Sequence, residues 1–287
     1  MDRHAFERAF GTEPHLFRHG LSGLAGYDAE ALAEVASRVP PSWTRAHAGD
    51  VPVVFGEKIQ QIEASAAEVA RTIAERCNRL GIYYLERIQP YRQLMLQARD
   101  EIVEAVGGRE GGVCGASLAF FLASPGTVVR AHFDRHHNLL FQLQGTKELT
   151  VGRYDDPADD QRVIERLRRN GHDNLSELPP RTQSFLLGPG DALYIPPYAF
   201  HWVHGGDGVS VALSYGVSTQ ATLRAPLVYS CNANLRRLGI RPRPPGASER
   251  RDAVKAYAIT QAARVRGALL QLSRRGRRGP AEPASAR

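Results

Sequence analysis

The sequence predicts a mainly β fold with flanking helices. From residue 113 onward, short apolar runs are separated by turns rich in Gly, Pro and Asp, which is typical of an all-β sandwich or barrel. Apolar residues at helical spacing occur before and after this region. We therefore expect an N-terminal segment at 1–110 that packs on the barrel, the barrel itself at 111–222 with an insert at 155–180, and a helical extension with a basic, disordered tail at 223–287.

The N-terminal segment alternates predicted helices and strands. Asp28 precedes an apolar-periodic run and is a suitable N-cap, and Pro40-Pro41 ends that helix. The expected elements are, in order, a short helix in AFERAF, an extended piece in EPHLFRHGL, a helix at 28–38, a strand at 51–55, an amphipathic helix at 57–80, a strand at 82–88 and a helix from Tyr91 to Val106 that Gly107-Gly108 ends.

Eight short runs in the barrel region are expected to be strands: CGASLAFFLA, VVRAHFD, LLFQLQ, KELTVGRY, TQSFLLG, DALYIP, HWVHGG and VSVALSYGV. The polar insert at 155–180 interrupts them. Inserts between barrel strands commonly lie near the mouth, so this one is either a substrate lid or a surface elaboration. After it, Ser248 is the expected N-cap of a C-terminal helix.

Composition excludes several classes of protein. No run of about 18 apolar residues occurs, so a membrane span is not expected, and the charged N-terminus lacks a signal segment. Three widely spaced cysteines fit isolated buried thiols in a reducing, cytoplasmic setting. The net charge of +7 is concentrated in an Arg-rich C-terminal part, which is more typical of a solvated tail than of a nucleic-acid surface.

The stretch RAHFDRHHNLLFQLQGTKELTV at 130–151 carries the densest chemistry. His132 and Asp134 form an H-x-D triplet, and side chains two apart on a strand point to the same side. A third metal ligand is expected in GPGDALYIPPYAFHWVHGG at 188–206, where His201 competes with His204. Two His and one Asp make the facial triad of non-haem Fe(II) oxygenases, which leaves coordination positions open for a co-substrate and O2.

The order H-x-D, a G-D turn and P-x-x-x-H resembles the JmjC branch of the cupin-fold 2-oxoglutarate oxygenases, and the offsets of Asn138 and Lys147 from His132 resemble its protein hydroxylases. The resemblance implies a double-stranded β-helix (jelly-roll, cupin-like) and favours His201 as the third ligand. It further implies that Lys147 pairs with the distal carboxylate of 2-oxoglutarate and that Asn138 lies beside the co-substrate. A strand-edge Lys that discourages aberrant pairing is the alternative for Lys147.

Two positions depart from the pattern of those hydroxylases. Val129 replaces a hydroxyl residue three positions before the first ligand, and Ser214 replaces an Asn on the last strand. Thr127 or a tyrosine such as Tyr215 is expected to supply the missing hydrogen bonds. His136 and His137, next to the triplet, are expected to face solvent or substrate rather than metal.

The resemblance implies an Fe(II)- and 2-oxoglutarate-dependent dioxygenase that hydroxylates a C–H bond of a peptide or protein side chain. Hydroxylation of a small molecule or natural-product peptide, N-methyl-lysine demethylation, and non-catalytic binding of a metal or ligand are the alternatives. Because related hydroxylases end in helices that pack on the barrel or form dimers, a homodimer through the C-terminal helix is also expected.

Overall fold

The computed structural model describes residues 2–21, 26–56, 58–171 and 174–276. Two compact units divide the chain, Met1–Leu223 and Arg224–Arg287. The first unit begins with seven helices and strands that precede the barrel: α1 (Arg3–Ala9), β1 (His15–Arg18), α2 (Ala29–Arg38), β2 (Thr44–Ala48), α3 (Ala66–Arg71), β3 (Asn78–Ile82) and α4 (Tyr91–Val106).

Eight strands form the barrel, and all eight runs predicted as strands are confirmed. They are β4 (Val113–Ala123), β5 (Val128–His132), β6 (His137–Gln144), β7 (Lys147–Arg153), β8 (Arg181–Leu187), β9 (Asp191–Ile195), β10 (Phe200–Gly205) and β11 (Ser210–Thr219). The chain passes back and forth between a major sheet containing β9-β6-β11-β4 and a minor sheet ordered β5-β10-β7-β8. This antiparallel arrangement is the predicted double-stranded β-helix.

The N-terminal strands widen the major sheet at both edges. β1 pairs with β9 on one side, and β3 and β2 continue the sheet beyond β4 on the other. Apolar residues of α1, α2 and α4 pack on the outer face of this sheet and form the largest core cluster. A second, smaller cluster fills the space between the two sheets at one end, which leaves the other end open as a cavity.

The helices predicted at 28–38 and 91–106 are confirmed, and Asp28 caps the first by accepting from the Ala31 amide. Three other local predictions are wrong. Residues 51–55 contain no strand; the helix predicted at 57–80 is limited to α3; and the strand predicted at 82–88 lies earlier, in β3. Pairing with β4 buries Leu80 and Ile82 in the sheet, and this tertiary contact outweighs the helical spacing of the sequence.

The insert at 155–180 contains α5 (Pro157–Asn170), which the Asp156 side chain caps. After this helix, Leu175 donates its amide to Ala131 of β5 and accepts from Phe55. No described residue of the insert lines the cavity. The insert therefore borders the minor sheet beside β5, where Asn174 pairs with His132, and both readings of it, a lid or a surface elaboration, stay predictions.

The second unit contains most of α6 (Gln220–Arg237) and α7 (Glu249–Gly276), and Ser248 accepts from the Arg251 amide as predicted. None of the described helices combines the length and apolar character needed to cross a bilayer. The prediction of buried thiols is wrong for Cys77 and Cys114, which are exposed. The predicted disordered tail lies outside the described residues from 277 onward.

Candidate functional site

The predicted metal ligands come together on the minor sheet. His132 ends β5 and pairs with His201 of the neighbouring strand β10, and Asp134 follows in the turn after β5. One ligand atom from each of the three side chains lies within 4.8 Å of the others. The His201 Nε2 and Asp134 Oδ2 atoms are 3.8 Å apart.

A β-bulge in β5 gives His132 its orientation. Between the pairs His201–His132 and Val203–Val129, β5 contains one residue more than β10. An extra residue reverses the alternation of side chains along a strand. Thr127, Val129 and His132 therefore all line the same cavity, although strict alternation would turn His132 away from it.

Both histidines present the same nitrogen to the site. Nδ1 of His132 lies 2.7 Å from the Arg130 carbonyl oxygen, and Nδ1 of His201 lies 3.0 Å from the Ala199 carbonyl oxygen. A carbonyl accepts only, so each Nδ1 donates its proton to the backbone, and Nε2 is the nitrogen left for a metal. Burial and the nearby His132 lower the pKa of His201 to about 4, so this imidazole is neutral at physiological pH.

Asp134 is fixed through both its backbone and its side chain. The Tyr198 amide donates to the Asp134 carbonyl oxygen at 2.7 Å, which ties the turn before His201 to the H-x-D triplet. The Asn138 amide nitrogen donates to Oδ2 of Asp134 at 3.1 Å. Burial raises the pKa of Asp134, but the adjacent His201 and His132 and this hydrogen bond outweigh it and hold the pKa below its usual value.

Ser214 stands where the hydroxylases that the sequence resembles have an Asn on the last strand. It contacts Asp134 only indirectly, through Asn138. Its hydroxyl donates to Oδ1 of Asn138 at 2.8 Å. Both ends of the Asn138 amide are thereby used, with Ser214 on one side and Asp134 on the other. Asn138, predicted as a neighbour of the co-substrate, thus directly orients a metal ligand.

A cavity of about 380 Å³ opens beside the triad, between the two sheets. Lys147, the first residue of β7, lines it and is only 7% exposed. No ion pair or hydrogen bond of its ammonium group is found among the described residues, and burial lowers its pKa to about 8. Its alternative reading as an exposed strand-edge lysine is therefore wrong.

Thr127, Gly205 and Lys147 form a row across three neighbouring strands. Thr127 precedes Val128, which pairs with His204, and Gly205 pairs with Lys147. A Cβ atom on Gly205 would lie 3.0 Å from Thr127 Oγ1, so only glycine leaves open space between the hydroxyl and the ammonium. The row leaves room for a carboxylate between a neutral donor and a charged one.

The three ligands suit a ferrous ion. Two neutral imidazoles and one carboxylate on a single side are the donor set of mononuclear non-haem iron centres. The ligand atoms are close enough to meet around one ion, and all three residues line the same cavity. The residues present therefore fit the metal that the sequence predicts.

Comparison with known proteins identifies this part of the chain. Residues 88–225 match the family model described as the JmjC domain. This segment, just under half of the chain, is similar to JmjC domains. The Drosophila melanogaster Jumonji C domain-containing protein 5 is 33% identical over 111 residues, an alignment that covers 34% of this chain and 26% of the fly protein. The chain thus spans about a quarter of that relative.

Solved structures share the fold of the JmjC domain and its flanks. YcfD of Escherichia coli superimposes with a TM-score of 0.53 at 17% identity, covering 92% of this chain and 67% of YcfD. Two further YcfD structures, in complex with cobalt and either succinic acid or 2-oxoglutarate, have TM-scores of 0.51 at 17% identity and cover 92% of this chain and 66% of theirs. YcfD is described there as a ribosomal oxygenase.

Other predictions about the JmjC domain have mixed outcomes. His204 is exposed, and His136 lines the cavity, as expected. His137 is wholly buried on the opposite face of the major sheet, so the expectation that it faces solvent or substrate is wrong. Tyr215 also lies on that face and donates to the Met95 carbonyl oxygen at 3.1 Å, so it cannot replace the missing hydrogen bonds of the cavity.

Sequence reasoning missed one wall of the cavity. Arg45 and His47 of β2, Arg79 of β3 and Tyr83 line it. The Arg45 guanidinium lies 5.5 Å from the centroid of the Tyr83 ring. Polar and apolar residues alternate in two short runs, Arg45-Ala46-His47 and Arg79-Leu80-Gly81. This alternation is the signal that was missed, because neither run is clearly marked as a strand.

Proposed function

We propose that the protein is an Fe(II)- and 2-oxoglutarate-dependent oxygenase that hydroxylates a C–H bond of a peptide or protein side chain. The observation that carries the proposal is the meeting of His132, Asp134 and His201 in one cavity with the buried ammonium of Lys147. The JmjC domain and its fold neighbours with 2-oxoglutarate support the same co-substrate.

Each residue has a defined part in this proposal. His132, Asp134 and His201 hold the iron through Nε2 and carboxylate atoms, while Asn138 and Ser214 keep Asp134 oriented. Lys147 and Thr127, on either side of Gly205, bind the distal carboxylate of 2-oxoglutarate. A dicarboxylate supplies the counter-charge that a buried ammonium requires.

Bound iron supplies the oxidising chemistry, in which 2-oxoglutarate, O2 and the substrate C–H group yield succinate, CO2 and the hydroxylated product. The protein's own contribution is to position the co-substrate and the substrate and to exclude water. The cavity lies between two sheets, and the apolar side chains of Leu140, Leu149 and Ile195 line it close to the polar groups. An apolar lining that excludes water lowers the local dielectric constant and so strengthens the electrostatic contacts that hold the co-substrate.

Three finer features remain proposals. The ribosomal activity described for YcfD favours a protein or peptide substrate over a small molecule. Exposed apolar residues of α7, namely Val254, Tyr257 and Val265, suit the predicted homodimer. A cytoplasmic location suits the free thiols.

The test is anaerobic addition of Fe(II) and 2-oxoglutarate to the full chain, followed by visible spectroscopy and then by succinate measurement under air. We expect a weak charge-transfer band and slow succinate formation even without substrate. His201→Ala should abolish both, whereas the matched variant His204→Ala, three residues along the same strand and exposed, should retain both. Absence of the band in the unmodified protein, or equal behaviour of the two variants, would rule out the proposal.

A further inference from the structure

The wall formed by β2 and β3 is positively charged. Arg45, His47 and Arg79 line the cavity, and we call these three residues the β2–β3 wall. His47 and Arg79 are directly opposite each other in the register of the two strands, and Arg45 precedes His47 by two positions on the same face. Arg45 is exposed, while His47 and Arg79 lie deeper. The wall thus extends from the cavity mouth into its interior.

The deeper groups of this wall have buried nitrogen atoms without partners. The Arg79 Nε and His47 Nδ1 atoms are inaccessible to solvent and have no hydrogen-bond partner in the described part of the chain. Burial lowers the pKa of both residues, and the nearby arginines lower that of His47 further. Buried polar atoms in proteins normally have a hydrogen-bond partner, whether the group is charged or neutral. These atoms therefore indicate a ligand that the protein alone does not provide.

The arginines of the β2–β3 wall lie on other strands than Lys147, the proposed anchor of 2-oxoglutarate. Gly49, directly after β2, donates to the Cys77 carbonyl oxygen before β3 and accepts from the Val128 amide, so the wall adjoins β5. Lys147 lies on β7, two strands away from β5 in the minor sheet, a separation of about 10 Å. A 2-oxoglutarate held by Lys147 and Thr127 would therefore adjoin the wall at Gly49, while Arg45 and Arg79 lie on other strands than Lys147.

The charges in the cavity support the same conclusion. Asp134 is the single acidic residue among those described as lining the cavity. The charges of a ferrous ion, a 2-oxoglutarate dianion, Asp134 and Lys147 cancel one another. The charges of Arg45 and Arg79 remain, and neither residue has an ion pair with a described acidic group.

We propose that the β2–β3 wall binds a carboxylate of the substrate and so selects a peptide with an acidic residue or a free C-terminus at the reacting position. The inference rests on the proposed function, since it assigns the substrate class of the same cavity. A guanidinium matches a carboxylate through paired hydrogen bonds, and the exposed Arg45 can meet the anion before it reaches Arg79. A lysine, methylated lysine or arginine side chain would be repelled by this wall.

The experiment measures peptide binding by calorimetry to the full chain loaded with Mn(II) and 2-oxoglutarate. The probes are acetyl-Ala-Xaa-Ala-amide with Asp, Asn, Glu, Gln or Lys at the centre, and acetyl-Ala-Ala-Ala as free acid or amide. We expect the acidic peptides to bind about tenfold more tightly than their amides. The Asp and Glu peptides test a side-chain carboxylate, and the free acid tests a C-terminal one.

Arg79→Gln should remove the preference for carboxylates while leaving the affinity for 2-oxoglutarate within about twofold. Arg45→Gln, at the exposed mouth, should weaken the preference without loss of folding, and Arg87→Gln, which lies outside the cavity lining, should leave it unchanged. Equal or undetectable binding of acidic and amide peptides, or a preference that survives in Arg79→Gln, would overturn the inference. Loss of 2-oxoglutarate affinity in Arg79→Gln would also overturn it, because Arg79 would then anchor the co-substrate.

The experiments distinguish failure of the proposed oxygenase activity from failure of the proposed carboxylate site. A protein that binds acidic peptides in an Arg79-dependent manner but forms no succinate with Fe(II) is not an oxygenase, yet has the anion site. A protein that forms succinate but binds all peptides alike is an oxygenase without it.

Discussion

Lys147 illustrates a residue whose burial opposes stability and serves binding. Its ammonium is 7% exposed, and burial lowers its pKa from 10.5 to about 8. A group that holds its proton less tightly in the folded than in the unfolded state destabilises the fold while it is charged. The unfavourable contribution is complete below about pH 8 and disappears as the pH rises from there toward 10.5.

We predict that Lys147→Met raises the free energy of unfolding of the metal-free protein by about 1–3 kcal/mol at pH 7 and weakens 2-oxoglutarate binding tenfold or more. The gain in stability should shrink between pH 8 and 10.5, because the wild-type lysine is then neutral in the folded state. Urea unfolding and calorimetry measure the two effects. Lys58→Met, at an exposed lysine, should change neither. A destabilised Lys147→Met protein would contradict the argument.

Asn138 holds Asp134, the predicted carboxylate ligand of the metal. Its amide nitrogen holds the Asp134 carboxylate and its oxygen accepts from Ser214. We predict that Asn138→Leu weakens Co(II) or Mn(II) binding about 10- to 100-fold, since partners of metal ligands typically contribute this much. Ser214→Ala should have a smaller effect in the same direction, because it removes the support of Asn138 and not its contact with Asp134. Metal affinity that is unchanged in Asn138→Leu would show that Asp134 needs no orientation.

At the scale of elements, a buried polar cluster joins the N-terminal part to the major sheet. The Tyr194 hydroxyl of β9 accepts from the Gly11 amide, just after α1, and lies 2.7 Å from Nδ1 of His137 on β6. Nε2 of His137 lies 3.0 Å from Glu110, which Thr219 of β11 also contacts. These contacts connect five separate segments, and the His137, Tyr194 and Thr219 side chains among them are fully buried.

We predict that Tyr194→Phe lowers the free energy of unfolding by about 1–3 kcal/mol, because the buried His137 ring loses a hydrogen-bond partner and the Gly11 amide loses a second contact to the sheet. Urea unfolding followed by circular dichroism measures the change. Tyr215→Phe is the matched control, since its hydroxyl has a single partner, the Met95 carbonyl oxygen, at 3.1 Å. An equal loss in both variants would mean that the cluster contributes nothing beyond an ordinary hydrogen bond.

At the scale of the whole molecule, binding and folding are linked because the ligands come from distant parts of the chain. His132, His201 and Lys147 meet only when β5, β10 and β7, which are far apart in the chain, pair in the minor sheet. Metal and 2-oxoglutarate at 100 times their dissociation constants should therefore stabilise the fold by about 2.7 kcal/mol each. For a unit of this size, we predict a rise in melting temperature of about 5–10 °C per ligand.

Differential scanning calorimetry with Mn(II), with 2-oxoglutarate and with both measures this linkage. The co-substrate should have its full effect only when metal is present, since the metal provides part of its binding site. His201→Ala should lose the shift and His204→Ala should keep it. A 2-oxoglutarate shift of the same size without metal would place the co-substrate away from the triad.

The sequence by itself determined the barrel strands, the helices with clear caps and the three candidate metal ligands that the structure brings together. Alternating apolar runs between Gly and Pro turns, and polar residues at fixed offsets from His132, are local signals that survive without tertiary context. The tertiary structure decided the rest. Long-range pairing with β4 turned part of a helical pattern into β3, and a bulge in β5 turned His132 toward the cavity. Pairing of β2 with β3 at one edge of the major sheet brought Arg45 and Arg79 into the same cavity. The face of a strand that lines a cavity depends on its neighbouring strands and not only on its own residues.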